Sequence, residues 1–494
     1  MWPGPSSAPS TTTRSALDEG DRDLVHTSPA SLWRGTDVID RLVIFGGTGD
    51  LTGRYLLPAL SALFARGHLS DRFELVAASR DDWQDEQFRN WAADWLQREA
   101  GGVDAGARTK LLSSSRYRRL DLADSASVAT CLAGDYPVAA YLALPPAVFP
   151  TAVSALHRVG LPEDSQVVLE KPFGEDLESA RALNRLLSEL MDERHVFRVD
   201  HFLAMTTVQN VLGTRLANRV LEPIWNSVHI DEVEILWEES LALEGRAGYY
   251  DHVGALKDMV QNHLLQLLCL VAMEPPLSLG ERDLRDRKVD VLRSVRPLDD
   301  DAVAVRTRRA RYRAGRVGDR DIPAYVEEDG VTPEHGTETF AEVTLELDSW
   351  RWSGTRFRLR TGKAMERDRK EVVVRFRPVP HLPFEDSAAP DANRLRFGLE
   401  PEGLTLDLAG TGPSATLSLV PLTLSAEMEP PELPAYGRIL LDVLHGNSAL
   451  SIRADEAEHA WQILTPVLDC WSHNLAPLEE YEAGSPGPER RGLP

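Results

Sequence analysis

Cysteine is scarce in this sequence, with three in 494 residues: Cys131, Cys269 and Cys470. They lie far apart and form no CxxC pair, so the sequence suggests neither a disulfide framework nor a cysteine-based zinc cluster. No HExxH or similar ligand spacing occurs either, which disfavours a metal site. Unpaired cysteines are typical of a reducing compartment, so we expect a cytoplasmic protein.

Positive charge is also in deficit, since 54 lysine and arginine residues stand against 77 acidic residues and give a net charge of −23. An acidic surface repels the phosphate backbone, which excludes general nucleic-acid binding. No apolar run approaches the roughly 20 residues that cross a bilayer. The N-terminus lacks the basic and apolar blocks of a secretory signal. We therefore expect no membrane partner.

The two ends of the chain have compositions that disfavour a packed core. Residues 1–36 are rich in proline, serine and threonine, and we predict that they are disordered. Residues 481–494 include AGSPGPERRGLP and are predicted to form a flexible tail. The remaining length is sufficient for two domains.

A dinucleotide-binding unit is predicted at RLVIFGGTGDLTGRYLLPALSALF, residues 41–64. A short apolar run typical of a buried strand leads into Gly46, Gly47 and Gly49, and leucines then recur at helical spacing. Glycines let the backbone approach a pyrophosphate, which the helix N-terminus attracts. The motif is GxxG rather than the longer and more specific GxGxxG. A tight strand–helix turn that binds no ligand is therefore the alternative interpretation.

The next predicted strand, FELVAASR, ends at Arg80. A guanidinium at this position suits the additional phosphate of NADP, whereas an acidic residue would favour NAD. Asp81 and Asp82 follow directly and would oppose a second negative group. We favour NADP as the cofactor, with NAD as the alternative.

Two patterns divide the chain. Strands and helices alternate from residue 41 to about 200, which predicts an open, mostly parallel sheet. Beyond about residue 230, apolar residues alternate in short strings separated by glycine and proline, which indicates antiparallel strands. We predict an α/β Rossmann-type nucleotide-binding domain at residues 37–205. An α+β substrate and dimerisation domain with a large, mostly antiparallel sheet should follow at residues 206–480, forming a homodimer or homotetramer.

The long predicted helix at residues 254–273 carries Asp258 and His263. Five residues correspond to about 140° around an α-helix at ~100° per residue, so these two side chains are not expected to share a face. His263 would need another carboxylate to act as an oriented base, and Asp200 at a strand end is available. A structural core histidine is the alternative interpretation, and His201 is equally ambiguous.

Seven segments, in order along the chain, resemble the glucose-6-phosphate dehydrogenase family. They are GGTGDLTGRYLLPAL, YLALPP, EKPFG, RVDHFL, VQNVLGTRLANRVLEPIWN, EGRAGYYDHVGALKDMVQNHLLQLLCLVAMEPP and LRTGKAMERDRKEVVVRF. The matches extend from about residue 41 to 376, with a weaker fit to about 475. Together they are far more specific than any one motif.

The resemblance implies a cytoplasmic oxidoreductase that moves hydride from carbon 1 of a pyranose hexose to NADP and leaves a lactone. In that family a base takes the carbon-1 hydroxyl proton, and the proline after Lys171 is typically cis. The matching positions are His263, Asp200 and Lys171 for catalysis; His201, Glu239, Asp258 and Lys363 for the sugar; and Gly46, Thr48, Gly49, Asp50, Leu51, Arg80, Pro145 and Lys171 for the cofactor.

The sequence departs from the family pattern where that family binds the sugar phosphate. Phe202 and Met205 replace a tyrosine and a lysine of HYxxK, Asp368 replaces a basic residue and Glu400 a neutral glutamine. Gly53 and Tyr55 replace lysines of the cofactor loop, where Arg54 could compensate. A charged hydrogen bond contributes roughly 1.5–3 kcal/mol, so the loss of one lysine weakens binding by about one to two powers of ten.

Three interpretations follow. A specialised paralogue could oxidise a hexose that carries no phosphate or a different decoration. Ordinary glucose 6-phosphate oxidation could persist if Arg198, Lys363 or Arg367 reached the ester. A non-catalytic partner of a true dehydrogenase is the third, although drift would not be expected to preserve a base, its carboxylate and the sugar ligands together.

Overall fold

The computed structural model describes residues 38–245, 247–384, 390–412 and 418–489. The predicted disorder of residues 1–36 therefore lies outside the described residues. Among the helices that are described, none has both the length and the apolar character needed to cross a membrane.

A six-stranded parallel sheet forms the first half, in the order β3-β2-β1-β4-β5-β6. Its strands are β1 (Arg41–Phe45), β2 (Glu74–Ser79), β3 (Ser115–Arg119), β4 (Ala139–Leu142), β5 (Gln166–Glu170) and β6 (Val196–Val199). The helices between them are α1 (Leu57–Ala65), α2 (Asp85–Glu99), α3 (Ala105–Ser113), α4 (Ser125–Leu132), α5 (Phe149–Val159) and α6 (Leu177–Leu190). The continuous apolar runs become strands because helices cover both faces of the sheet.

The strand order reverses beside β1, whose neighbours are β2 and β4. In an open parallel sheet, this reversal opens a crevice at the carboxyl ends of the strands, and ligands bind there. The glycine loop after β1 therefore lies at the position that the fold reserves for a nucleotide.

The second half is built on a nine-stranded sheet in the order β16-β15-β14-β13-β7-β12-β11-β8-β17. Its strands are β7 (Ile230–Glu238), β8 (Thr307–Arg313), β11 (Phe340–Glu346), β12 (Arg356–Gly362), β13 (Arg369–Phe376), β14 (Arg394–Glu400), β15 (Glu402–Thr411), β16 (Leu419–Glu427) and β17 (Leu478–Glu482); β9 (Gly315–Val317) and β10 (Arg320–Ile322) form a separate hairpin. Only the pairs β7–β12 and β8–β17 are parallel among those described. The predicted fold class is confirmed.

One face of this sheet packs against helices and the other carries charge. Val233 and Ile235 of β7 belong to the main hydrophobic core, whereas Glu232 and Glu234 alternate with them on the opposite face. The helices of this half are α7 (Thr206–Leu216), α8 (Ala247–Tyr250), α9 (Leu265–Ala272), α10 (Glu281–Ser294), α11 (Asp300–Arg306), α12 (Ala435–Leu444) and α13 (Ala454–Ser472).

Helix α12 packs with the first half although it is late in the sequence. Leu440, Val443 and Leu444 are buried in the same cluster as the leucines of α1. The amide of Ile39, just before β1, donates to the carbonyl of Leu444 at 2.9 Å. The first core is therefore completed by a segment that the predicted domain boundaries assign to the second domain.

The predicted start of the flexible tail at residue 481 is wrong. Tyr481 is buried within β17, which pairs with β8 and forms the last strand at one edge of the nine-stranded sheet. The chain then stays attached as far as residue 489: the amide of Gly484 donates to Ala364 at 2.8 Å, and that of Glu366 donates to Ser485 at 2.9 Å. Residues 490–494 lie outside the described part of the chain.

Candidate active site

The glycine loop after β1 has no room for a side chain at Gly46 or Gly47. Gly46 has φ of +91°, and a Cβ there would lie 2.1 Å from the carbonyl oxygen of Ala143. A Cβ on Gly47 would lie 2.7 Å from that of Ala77. The loop therefore lies against β2 and β4 at the sheet edge, where its backbone N–H groups and the following helix N-terminus can approach an anion.

Polar groups from β2 meet this loop at its far side. The hydroxyl of Thr48 lies 2.8 Å from that of Ser79 and donates to Asp81 at 2.8 Å. Arg80 is exposed between them, so its guanidinium is accessible to a ligand. Asp50 and Leu51 begin the helix after the loop, and Asp50 accepts from Arg54 at 3.1 Å.

Three further predicted residues follow neighbouring strands of the parallel sheet. Pro145 comes after β4, Lys171 directly after β5 and Asp200 directly after β6. Because parallel strands end at the same edge, this order extends the site from the glycine loop towards the second half. The Lys171–Pro172 peptide bond is cis, as the family resemblance implies.

Asp200 and His263 form a buried pair. Nδ1 of His263 lies 2.5 Å from Oδ1 of Asp200, and both residues are at most 3% exposed. The same carboxylate oxygen accepts from the amide of Phe202 at 3.0 Å. An ionised carboxylate can only accept, so Nδ1 carries the hydrogen and Nε2 keeps its lone pair.

His263 and Asp258 share a face of their helix, contrary to the expectation from α-helical geometry. Residues Leu256–Leu264 form a π-helix, which continues into α9. Its hydrogen bonds run from residue i to i+5, so residues five apart lie much closer to one face than they would in an α-helix. The wider turn therefore presents the base and the carboxylate to the same cleft.

The electrostatics of the pair preserve a neutral imidazole beside a charged carboxylate. Burial tends to raise the pKa of Asp200, but the charge and hydrogen bond of His263 outweigh it and bring the pKa to about 2. Burial lowers the pKa of His263, and Asp200 only partly opposes this effect. At neutral pH His263 is thus positioned to accept a proton at Nε2.

Lys171 links the two halves of the chain across the site. Its Nζ donates to the backbone carbonyl of Asp258 at 2.8 Å and to Oδ1 of the same residue at 3.2 Å. Burial works to raise the pKa of Asp258, yet Lys171 and Lys363 lower it overall. Lys363 in turn donates to Glu239 at 2.7 Å. These groups can hydrogen-bond several hydroxyls of a sugar at once.

His201 lies on the other side of the base in a column of rings. It is stacked on Tyr436 at 5.8 Å and meets His263 edge to face at 5.2 Å. Burial lowers the pKa of His201 to about 4, with the charge of His263 adding to the effect. His201 is therefore neutral at pH 7 and offers a hydrogen bond rather than a positive charge.

Three more side chains shape this site; the sequence marked Phe202 only as a departure from the family pattern, and it did not predict a role for Tyr436 or Glu170. Phe202 stacks on the imidazole of His263 at 3.7 Å with 4° between the rings. Tyr436, which stacks on His201, comes from α12 and has no nearby motif that marks it. Glu170 accepts from Tyr141, and burial raises its pKa to about 7. Of the two residues without a predicted role, only Glu170 has a signal in the sequence, because it directly precedes Lys171.

Asp200, His201 and His263 each offer an atom of metal-ligand type, and these atoms lie within 4.8 Å of one another. The described bond between Asp200 and His263 already uses Nδ1 as a donor. The grouping is accounted for by an oriented base, so it does not require a metal.

Comparisons with known proteins decide the family. The NAD-binding domain of glucose-6-phosphate dehydrogenase matches residues 43–210, and the C-terminal domain of the same family matches residues 212–492. The chain belongs to the glucose-6-phosphate dehydrogenase family. The prediction from sequence motifs that the chain belongs to this family is confirmed.

Relatives cover nearly the whole chain. Glucose-6-phosphate 1-dehydrogenase of Rhizobium meliloti (strain 1021) is 40% identical over 466 residues, which is 91% of this chain and 94% of that protein. The enzyme of the same name from Mycolicibacterium smegmatis is 40% identical over 464 residues, covering 90% and 94%.

Two solved structures of glucose-6-phosphate dehydrogenases share the fold over both halves. One, in complex with its substrate glucose-6-phosphate, superposes with a TM-score of 0.84 at 29% identity and covers 92% of this chain and 97% of that chain. The Mycobacterium avium enzyme gives 0.82 at 34% identity, with coverage of 92% and 96%.

Proposed function

We propose that this member of the glucose-6-phosphate dehydrogenase family oxidises carbon 1 of a hexose, glucose 6-phosphate or a related aldose, to the lactone. NADP is the hydride acceptor in this family. The observation that carries the proposal is the buried His263–Asp200 pair, 2.5 Å apart, in the cleft between the glycine loop and the π-helix. Such a pair supplies what the oxidation of an alcohol needs, a base that takes the hydroxyl proton as hydride leaves.

His263 acts as the base through Nε2, and Asp200 holds its tautomer and stabilises the imidazolium that forms. Lys171 and Asp258 bind sugar hydroxyls near the base, and Lys171 also faces the nicotinamide side. Glu239, Lys363 and His201 bind the remaining sugar oxygens. Support comes from the direct contacts Lys171–Asp258 and Lys363–Glu239 and from the ring contact between His201 and His263.

The residues present fit a dinucleotide. Gly46 and Gly49, with Thr48, Asp50 and Leu51, would hold the pyrophosphate, because the loop offers backbone donors without side chains in the way. Arg80 would bind the 2′-phosphate, and Pro145 would line the nicotinamide end. When bound, the cofactor accepts the hydride; the chain supplies binding, orientation and removal of the proton.

The proposal is tested by following NADP reduction spectrophotometrically with glucose 6-phosphate, glucose, galactose and mannose. Lactone formation coupled to NADP reduction with at least one of these sugars supports the proposal. Tight NADP binding without turnover of any sugar would favour the non-catalytic partner instead. A binding titration run in parallel separates that outcome from unfolded protein.

Replacing Arg80 should change the cofactor preference. We expect Arg80→Gln to raise KM for NADP by about 10- to 100-fold, since a bidentate charged contact is lost, while KM for NAD changes by less than about threefold. Arg72→Gln is the matched control, because Arg72 is exposed and precedes β2 at its opposite end. Equal effects on both cofactors would contradict the assignment of Arg80 to the 2′-phosphate.

The pH profile should reveal the lowered pKa of His263. Catalysis needs the neutral imidazole, so activity is lost as pH falls through the folded-state pKa. Because burial places that pKa below 6.5, the acid limb of kcat/KM should lie below pH 6.5. An acid limb above pH 7 would show that His263 is not the titrating base.

We also propose that the chain forms a homodimer through the charged face of the nine-stranded sheet. There Arg358 pairs with Glu232 at 2.9 Å and Arg360 with Glu238 at 2.5 Å, so rows of opposite charge lie side by side. Such a surface is self-complementary under twofold rotation. Light scattering should give twice the 54.8 kDa chain mass; a monomer at micromolar concentration would contradict this.

The three free, buried cysteines support a cytoplasmic location.

A further inference from the structure

Around the base, the positive charges of the described lysines are matched or outnumbered by the negative charges of carboxylates. Among the described residues, three lysines lie on the sugar side of the site, and each is paired with one carboxylate. The pairs are Lys171–Asp258 at 3.2 Å, Lys363–Glu239 at 2.7 Å and Lys370–Glu400 at 2.5 Å. None of these ammonium groups is therefore a surplus positive charge for an anionic ligand.

Lys370 belongs to this site through a continuous run of ring contacts. Phe202 stacks on His263 at 3.7 Å, Trp237 lies 4.1 Å from Phe202, and Nζ of Lys370 lies 4.9 Å from the Trp237 ring. The wall between the base and the Lys370–Glu400 pair is thus aromatic. Phe202 has no hydroxyl, so it offers no hydrogen-bond donor to a phosphate.

Two further carboxylates make the balance negative. Asp200 is ionised beside His263. Asp368 accepts hydrogen bonds from the amide and the hydroxyl of Ser240, at 2.6 and 2.8 Å. Ser240 directly follows Glu239 in the chain, so Asp368 lies beside the sugar side of the site. Burial tends to raise the pKa of Asp368, but the hydrogen bonds from Ser240 and the charge of Lys370 lower it overall, so it is charged at neutral pH. Five carboxylates therefore outnumber three ammonium groups.

The arginines that could add positive charge are engaged elsewhere. Arg198 is fully buried, donating to Glu193 at 2.6 Å and to Asn184 at 2.9 Å. Arg367 is exposed and lines a groove on the charged outer face of the nine-stranded sheet. Met205 is half-buried against the apolar core and offers no charge.

We infer that the hexose oxidised here carries no phosphate. This inference rests on the proposed function and specifies its substrate. A phosphate ester carries a charge of about −1.5 to −2 at pH 7. Carboxylates in excess of the ammonium groups would repel that charge, Asp200 from a buried position and Asp368 from an exposed one. A neutral aldose meets no such repulsion and can use the hydroxyl ligands around Lys171, Asp258, Glu239 and Lys363.

The decisive measurement compares kcat/KM for unphosphorylated aldohexoses with that for glucose 6-phosphate at the same NADP concentration. We expect the best neutral sugar to exceed glucose 6-phosphate by at least about tenfold. A higher value for glucose 6-phosphate than for every neutral sugar would overturn the inference but leave the proposed function intact. NADP binding without turnover of any sugar would instead overturn the proposed function.

Salt and charge variants test the physical cause. With glucose 6-phosphate, kcat/KM should rise by about two- to fivefold between 0.05 and 0.5 M salt, because screening weakens a repulsion; with a neutral sugar it should stay level. Asp368→Asn keeps an acceptor for Ser240, and we expect it to raise kcat/KM for glucose 6-phosphate by about three- to tenfold. Glu163→Gln is the control, since Glu163 is exposed and precedes β5 at the sheet edge opposite the site. A fall with added salt, or equal effects of the two variants, would contradict the inference.

Discussion

Replacement of His263 by asparagine is expected to lower kcat by about 10³- to 10⁴-fold while NADP binding stays within about threefold of the original. Asparagine retains a polar group that can contact Asp200 but cannot take a proton at Nε2. A general base contributes about 10² to 10⁴ in rate, and the loss should approach the upper end because the imidazole is 1% exposed and water cannot easily replace it. Stopped-flow NADP reduction measures the change.

A histidine away from the cleft provides the control for that variant. His459 lies on α13 and contacts Gln462 at 2.8 Å, so His459→Asn removes an imidazole of the same size from a half-buried position outside the site. We expect its kcat to stay within about twofold. If His263→Asn retained more than a tenth of the original kcat, another group would have to act as the base.

The strands of the first sheet could be predicted from the sequence because each is marked by a short apolar run within the strand itself. A buried parallel strand reads as a short apolar run, and its carboxyl end carries the ligand residues, so Arg80, Lys171 and Asp200 could each be placed at the sheet edge. The hypothesis that Asp200 orients His263 used the same rule. Their contact across 63 residues agrees with it.

The shape of the cleft depended on features without a local signal. The residues from Leu256 to Leu264 suit an α-helix as well as a π-helix, so the sequence does not mark the wider turn that brings Asp258 and His263 onto one face. Tyr436 reaches His201 from a segment more than 200 residues later, which no periodicity could indicate. The error at residue 481 has the same origin, since β17 is a strand only because β8 offers it an edge.

Replacement of Asp200 by asparagine should lower kcat by about 10²- to 10³-fold, less than loss of the base. Oδ1 of Asp200 accepts from both His263 and the amide of Phe202, whereas Oδ2 is buried and has no hydrogen-bond partner among the described residues. An asparagine can therefore place its oxygen at Oδ1 and preserve the tautomer of His263. The variant loses the negative charge that stabilises the imidazolium, a loss of about 2.7–4 kcal/mol in the transition state.

The pH profile distinguishes this loss of charge from a structural defect. Asp200 raises the pKa of His263 against the larger effect of burial, so its neutralisation should lower that pKa further. The acid limb of kcat/KM for Asp200→Asn should consequently move to lower pH than in the original protein, even though the plateau rate falls. A variant that had merely loosened the cleft would expose His263 to water, reduce the effect of burial and move the limb towards higher pH. The direction of that displacement, measured from pH 4.5 to 8, decides whether Asp200 acts through its charge.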